Sequence, residues 1–339
     1  MKTILISRTD SIGDVMLTLP LLGWLKEMLP ECRVIFLCAA YTQAVVRSCE
    51  YVDDVLNWNE LQLLPEDEQV LHVQELSIDA VLHVFPRTAI ANLMKKANVP
   101  LRIGTRSRIY HWRTCNKLIA LSRKNSPLHE AELNLRLAEP FAPPTPFPAL
   151  EKLHRYYGFT RFSELPEHFS AILDQKRFNL ILHPKSQGSA PEWSEAGYKR
   201  LLTLLPTEHY NIILTGTEAE GKHVSGLCES VRKRGGYDLT GQTTLEELIA
   251  LIAGADGLLA SSTGPLHIAA ALGKHTLGLF APIRPMHPAR WKPLGVKASV
   301  LSREKKCNAC QGGKPCGCIN SITPEEVAAV VVSWLESEQ

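Results

Sequence analysis

Phe178-Asn-Leu-Ile-Leu-His183 is followed by a periodic stretch from Trp193 to Leu205, then by Tyr210-Asn-Ile-Ile-Leu-Thr215 and a second periodic stretch from Glu218 to Arg234. Short apolar runs bounded by turn residues read as buried strands, and longer stretches with apolar residues every three to four positions read as helices. The alternation then repeats. Thr243 to Ala253 reads as a helix opened by Thr244 with Glu247 three residues on, the spacing of a capping box. Asp256-Gly-Leu-Leu-Ala-Ser261 reads as a strand, Pro265 to Leu272 as a helix and His275-Thr-Leu-Gly-Leu-Phe280 as a strand. Strand and helix in turn predict an α/β domain built on a parallel sheet.

The first half follows the same alternation. Thr3-Ile-Leu-Ile-Ser7 and Arg33-Val-Ile-Phe-Leu-Cys38 read as strands around a helix from Val15 to Met28 that stops before Pro30. Further units lie at Ala44 to Ser48 and Val52 to Leu56, and Ala80-Val-Leu-His-Val-Phe85 reads as a strand that delivers Pro86 and Arg87 to its C-terminal end. Prolines at 140, 143, 144, 146 and 148 make a stiff, extended connection, which places the linker between Pro140 and Ala171. The length of 339 residues suits two domains. The expectation is two doubly wound, Rossmann-like domains, 1–165 and 172–322, with a segment 323–339 whose helix, Pro324 to Glu336, packs back on the first domain.

Lys and Arg number 37 against 35 Asp and Glu, so the net charge of +2 lends no weight to a protein that wraps nucleic acid. The average hides a segregation. Glu50 to Asp79 contains nine acids and no Lys or Arg, whereas Ala80 to His129 contains ten Lys and Arg and no acid. The second stretch is either a solvated basic face or a surface that receives something anionic.

The apolar run before Arg8 and Asp10 is too short for a secretory signal, and a cytoplasmic chain is expected. The uncharged stretch Gly257 to Gly273 is broken by Ser261, Ser262, Pro265 and His267, so no bilayer span is expected. Nine cysteines in a reducing compartment read as free thiols. Cys307, Cys310, Cys316 and Cys318 form C-x2-C-x5-C-x-C, which is either a structural zinc site or a structural loop; its spacing is shorter than in zinc ribbons.

Ligands of open parallel sheets sit at the C-terminal ends of the strands, so the loops there are the candidates. Arg8-Thr-Asp-Ser-Ile-Gly-Asp14 runs from the first strand into a helix; Gly13 permits close approach, and Asp14 in the first turn is kept ionised by the helix dipole. Ser11 with Asp14 three residues on also fits an acidic capping box, and the spacing leaves catalysis and capping open. In Ser261-Ser-Thr-Gly-Pro-Leu-His267, the N–H groups of Thr263 and Gly264, the hydroxyls of Ser262 and Thr263 and the early Pro265 suit a diphosphate or a plain strand-to-helix turn. His183-Pro-Lys-Ser-Gln-Gly-Ser189 offers Lys185, Ser186, Gly188 and Ser189 to phosphate oxygens, and Gly216-Thr-Glu-Ala-Glu220 offers Glu220 to ribose hydroxyls or a base edge. None of these loops is a Gly-x-Gly-x-x-Gly or a P-loop, which weighs against hydride transfer and nucleotide hydrolysis.

Four segments carry a resemblance. Ile6-Ser-Arg-Thr-Asp-Ser-Ile-Gly-Asp-Val-Met-Leu-Thr-Leu-Pro20, His183-Pro-Lys-Ser-Gln-Gly-Ser-Ala190 ahead of Trp193, and Leu239-Thr-Gly-Gln-Thr-Thr-Leu-Glu-Glu-Leu248 with Ser261-Ser-Thr-Gly-Pro-Leu-His-Ile-Ala-Ala-Ala-Leu-Gly273 resemble glycosyltransferase family 9, the lipopolysaccharide heptosyltransferases. The resemblance implies a GT-B fold, an ADP-heptose-like donor on the second domain and a phosphorylated lipopolysaccharide core or lipid A acceptor on the first. It implies an inverting transfer with Asp14 as base, beside Ser11 and Gly13. Lys185, Ser186, Ser189, Glu220, Ser262, Thr263, Gly264, Pro265 and His267 then face the donor, with no metal cofactor required. Arg87, Arg102, Arg106, Arg108 and Arg113 become the acceptor surface, and peripheral contact with the cytoplasmic face of the inner membrane is expected.

Two positions depart from the family pattern: Ser262 stands where Asp is frequent, and Glu192 where a Lys is frequent before the Trp. Donor identity is therefore left open. The alternatives are another GT-B nucleotide-sugar enzyme such as an epimerase and, more remotely, a zinc or nucleic-acid-binding protein. The last leaves the strand-end loops unexplained, and nucleic acid is not an expected partner.

Overall fold

The computed structural model describes residues 2–123, 126–142, 146–284, 286–303 and 317–336. The chain divides between Arg161 and Phe162 into two compact units. In the first, β1 (Thr3–Ser7), β2 (Arg33–Cys38), β3 (Asp54–Asn57), β4 (Ala80–His83), β5 (Leu101–Thr105) and β6 (Lys117–Ile119) form a parallel sheet in the order β3-β2-β1-β4-β5-β6. In the second, β7 (Phe178–His183), β8 (Tyr210–Leu214), β9 (Tyr237–Asp238), β10 (Gly257–Ser261), β11 (His275–Phe280) and β12 (Ala298–Ser302) follow the order β12-β11-β10-β7-β8-β9. Counted along its own half, each sheet has the doubly wound order 3-2-1-4-5-6.

The central strands β1, β7, β10 and β11 are buried along their whole length, as helices on both faces of a parallel sheet require. Leu180, Leu182, Tyr198, Leu201, Ile212, Leu214, Leu227 and Val231 fill one layer of the second unit. Leu5, Ile35, Val81, Ile90 and Met94 belong to a corresponding layer of the first.

The helix expected from Val15 to Met28 is two, Ile12–Met16 and Leu19–Met28. Pro20 explains the break, since a continuous helix would set its ring against the Met16 carbonyl and leave that acceptor unpaired. Glu218 to Arg234 likewise divides into Glu218–His223 and Ser225–Lys233, separated by Val224 with φ −124° and ψ 33°.

The closing helix Pro324–Glu336, expected on the first domain, belongs to the second. Its Val327, Ala328, Val331 and Trp334 lie on one face, and that face completes the second core rather than covering another one. Trp334 stacks on Phe178 and His275 at ring separations of 5.9 and 5.3 Å, the Tyr210 hydroxyl donates to the Val331 carbonyl at 3.2 Å, and Trp193 Nε1 donates to the Ile322 carbonyl at 2.9 Å. Replacing Trp334 by Ala is expected to destabilise the second unit by about 3 kcal/mol, the scale for deleting a buried aromatic. Scanning calorimetry checks this, and an unshifted unfolding transition would contradict the packing role.

Candidate active site

Strand order reverses between β1 and β4 in the first unit and between β7 and β10 in the second, and these are the points where a doubly wound sheet opens a crevice at its carboxyl edge. Ser7 pairs with His83 across the first reversal, and Ala260 with His183 across the second. The loops beginning at Arg8, Val84, Pro184 and Ser262 therefore leave the sheets at the two reversals.

In the first unit the organising residue is Arg8, which the sequence reading passed over. It is 2% exposed at the end of β1. Its Nε donates to Asp10 Oδ1 at 2.7 Å, one terminal nitrogen to Glu130 Oε1 at 3.1 Å and Asn134 Oδ1 at 3.3 Å, and the other to Asp14 Oδ1. Arg123 joins the same Glu130 and Asn134 oxygens at 3.0 and 2.8 Å. Burial alone would weaken the Arg8 charge; Asp10, Asp14 and Glu130 outweigh it and raise the guanidinium pKa, so it stays protonated. Burial pushes the Asp10 carboxyl up to about 7, against the pull of Arg8 and with the help of the Asp14 charge.

Asp14 is held from both sides, Oδ1 by Arg8 and Oδ2 by the Ser11 hydroxyl. Ser11 occupies the N-cap of Ile12–Met16 with extended backbone, but its side chain caps no backbone N–H and serves the carboxylate instead. The capping geometry left open by the spacing is thus not formed. The Asp14 side chain remains 18% exposed, so its fixed carboxylate has access to solvent.

The five arginines do not lie together. Arg87 follows β4, is exposed, donates to the Thr9 carbonyl at 3.3 Å and lies over the Phe85 ring. Arg106 and Arg108 are exposed just after β5, at the same edge as Asp14. Arg102 instead sits near the start of β5, beside Val81, and spends its guanidinium on the carbonyls of Val99 and Thr114. Arg113 is near that opposite edge too, its carbonyl accepting from Lys95 at the far end of Thr88–Lys96. An acid-free run in sequence crosses the sheet from edge to edge, which separates these two from the others.

In the second unit, Glu192 governs the loop after β7. It pairs with Lys185, and its Oε1 accepts from the Ser186 N–H at 2.7 Å and hydroxyl at 2.9 Å. Ser189 Oγ donates to the Ser186 carbonyl at 2.7 Å, and Gln187 and Gly188 turn through positive φ of 50° and 78°. After β10, helix Gly264–Ala271 begins at Thr263 without a side-chain cap, Pro265 in its first turn, leaving its leading N–H groups for an outside acceptor. Ser262 and Gly264 are half-buried, Thr263 is buried with its hydroxyl unpartnered, and His267 is buried one turn into the helix.

A cavity of about 560 Å³ is lined by Lys185, Gln187, Gly188, Ala190, Glu192, Thr217, Ala219, Glu220 and His223. The start of Gly264–Ala271 is not in its lining. Glu220 caps its own helix, one oxygen accepting from the Thr217 N–H at 2.7 Å and hydroxyl at 3.0 Å. Beside it His183 is buried with Nδ1 3.0 Å from the Thr215 hydroxyl, and burial holds its pKa down against the Glu220 charge. Gln187 and His223 were missed in sequence, because a loop Gln and a helical His carry no signal apart from the walls they line.

Among the described residues no three His, Cys, Asp or Glu side chains converge as a metal site, and no helix is long and apolar enough to cross a membrane. Cys307, Cys310 and Cys316 lie outside the described residues, while Cys318 is half-buried just ahead of the short helix Ile319–Ser321.

Two doubly wound domains of this order define the GT-B fold, and the chain superposes on Escherichia coli ADP-heptose LPS heptosyltransferase II with a TM-score of 0.77, 20% identity and 100% and 99% of the two chains covered. Residues 87–319 match the family model of glycosyltransferase family 9 (heptosyltransferase), and the chain belongs to that family. Lipopolysaccharide core heptosyltransferase OpsX of Haemophilus influenzae is 24% identical over 334 residues, 88% of this chain and 84% of that one. The E. coli heptosyltransferase WaaC, solved with ADP, superposes with a TM-score of 0.65 at 17% identity over 98% of this chain and 99% of that one.

Among the described residues, the cluster around Arg8 brings two guanidiniums to three carboxylates, and burial is the main cause of the raised Asp10 carboxyl. In the unfolded chain its carboxyl loses the proton near 3.8, in the folded chain only near 7. Between those values the folded state holds a proton that the unfolded state has released, so this group makes stability fall as pH rises across the window. Denaturant unfolding at pH 5 and pH 8 is expected to show that Asp10→Asn removes this decline; an unchanged pH dependence would contradict it.

Proposed function

We propose that the protein transfers a heptose, or a closely related sugar, from an ADP-sugar to a lipopolysaccharide core or other lipid-linked acceptor, with inversion at the anomeric carbon and Asp14 as base. The observation that carries the reading is the Asp14 carboxylate, fixed by Arg8 and Ser11 at the carboxyl edge of the first sheet and still partly open to solvent. Family membership supports sugar transfer. The donor and acceptor classes are drawn from relatives named for ADP-heptose and for lipopolysaccharide core.

In this reading the acceptor hydroxyl gives its proton to Asp14 while its oxygen attacks the anomeric carbon. The bond from that carbon to the ADP β-phosphate oxygen breaks on the opposite face, and its electron pair leaves with ADP. Proton transfer accompanies bond formation, when the hydroxyl has become acidic. The N–H groups of Thr263 and Gly264, the Ser262 hydroxyl and the Lys185 ammonium take up the charge that develops on the diphosphate. Glu220 and the cavity beside it serve the nucleoside. Arg87, Arg106 and Arg108, with Ser11 and Gly13, face a phosphorylated acceptor, which places the enzyme peripherally on the cytoplasmic face of the inner membrane, where such a lipid is anchored.

Asp14→Asn keeps the size and the contact with Ser11 but removes the base. It is expected to leave ADP binding within a few-fold of wild type and to lower kcat by roughly 10²-fold or more, the scale of general base catalysis. Full activity in that variant would sink the assignment. Arg106→Glu with Arg108→Glu is expected to raise the acceptor KM and spare the donor KM; an unchanged acceptor KM returns these residues to a merely solvated basic face.

A further inference from the structure

The loop after β7 contains a cation, a backbone N–H and hydroxyls suited to an anion, and its own chain already supplies the anion. Glu192 Oε2 takes the Lys185 ammonium, and Glu192 Oε1 takes both the N–H and the hydroxyl of Ser186. Ser186 Oγ also bonds the Ala190 carbonyl at 2.8 Å, and Ser189 Oγ is turned to the Ser186 carbonyl. Burial alone would raise the Glu192 carboxyl, but Lys185 and Ser186 outweigh it and hold it below the usual carboxylate range, so it is a full negative charge. The start of Gly264–Ala271 is the opposite case, uncapped and with the buried Thr263 hydroxyl unpartnered. One of the two anion-binding segments is open and the other is filled from within.

We propose that Glu192 is an internal competitor for the donor diphosphate. It occupies the anion seat of the loop in the empty enzyme, and a diphosphate reaches Lys185 and Ser186 only by displacing it. A carboxylate tethered seven residues from its lysine competes at the high effective concentration of an intramolecular partner. The exchange trades one charge-assisted pair for another, so donor binding gains little from Lys185, and the returning carboxylate assists departure of the free nucleotide diphosphate. Glu192 lines the cavity together with Glu220 and His223, so its side chain has open space to enter when displaced. The contrasting possibility is a plain clasp, in which Glu192 and Lys185 only hold the loop and no diphosphate meets either one.

The inference rests on the proposed donor reading, and calorimetric titration separates the two. The full chain, Glu192→Gln, Lys185→Gln and the double variant are titrated with inorganic pyrophosphate, ADP and adenosine. Glu192→Gln is expected to bind pyrophosphate and ADP roughly tenfold more tightly, the scale of one charge-assisted contact, with a steeper loss of affinity in salt and adenosine unchanged. The gain should vanish in the Lys185→Gln background. Unchanged or weaker pyrophosphate and ADP binding in a Glu192→Gln protein with the wild-type melting temperature overturns the proposal, as does a gain that survives Lys185→Gln. Should the Gln variant melt early, a crystal structure of the wild-type protein with pyrophosphate decides: Lys185 on the pyrophosphate with Glu192 displaced supports it, and Glu192 still on Lys185 overturns it. ADP binding that ignores Glu192 overturns this inference and leaves the donor reading standing; failure of the wild type and every variant to bind ADP or pyrophosphate brings down both.

Discussion

A guanidinium taken out of water costs several kcal/mol unless its hydrogen bonds are replaced, and Arg8 replaces them with partners from two distant parts of the first domain. Asp10 and Asp14 come from the loop that Arg8 itself begins; Glu130 and Asn134 come from a helix 122 and 126 residues further on. The same Asn134 reaches back to the Leu17 carbonyl at 2.9 Å and the Thr18 hydroxyl at 3.2 Å, at the break that Pro20 imposes on the opening helices. The short first helix, the carboxylate on it and the buried arginine are therefore one construction. Arg8 is a positioning residue in this account: it aims the Asp14 carboxylate, which the proposed transfer uses as its base.

The second domain repeats the strand order but solves a different electrostatic problem. Where the first domain fixes a carboxylate, the second carries a paired lysine and an uncapped helix start on the loops that leave the two strands flanking its own reversal point. These two segments differ. Thr263 and Gly264 start a helix without a side-chain cap, whereas Lys185 and Ser186 are engaged by Glu192. With Glu192 ahead of Trp193, the loop after β7 thus carries a paired charge.

The buried parallel strands were legible because a strand covered on both faces is a continuous apolar run: β7 and β11 occupy the predicted residues, as does the helix Pro324–Glu336. The edges were not. Leu101-Arg-Ile-Gly-Thr105 hides a strand behind an arginine and a glycine, and Gly104 is there because a Cβ would meet the His111 ring at 2.6 Å. β9, with two residues, has too little pattern to read. The loop carrying Asp14 and the loops after β7 and β10 lie at the strand ends where motif and position put them, and the family follows from the chain's match to it. Arg8 could not be read, since an arginine among nearby acids looks solvated until Glu130 arrives from across the fold. Arg102 misled for the complementary reason: charge along the sequence does not say which end of a strand carries it.

The central claim is displacement at the anomeric carbon by an acceptor hydroxyl whose proton passes to Asp14. The most direct measurement is the anomeric configuration of the product, read from one-bond carbon–proton coupling after reaction of the wild-type protein with a ¹³C-labelled ADP-heptose and a lipopolysaccharide core acceptor. The account predicts a glycoside of configuration opposite to the donor and no turnover without acceptor. A product that retains the donor configuration would contradict it, as would consumption of the donor with no acceptor present.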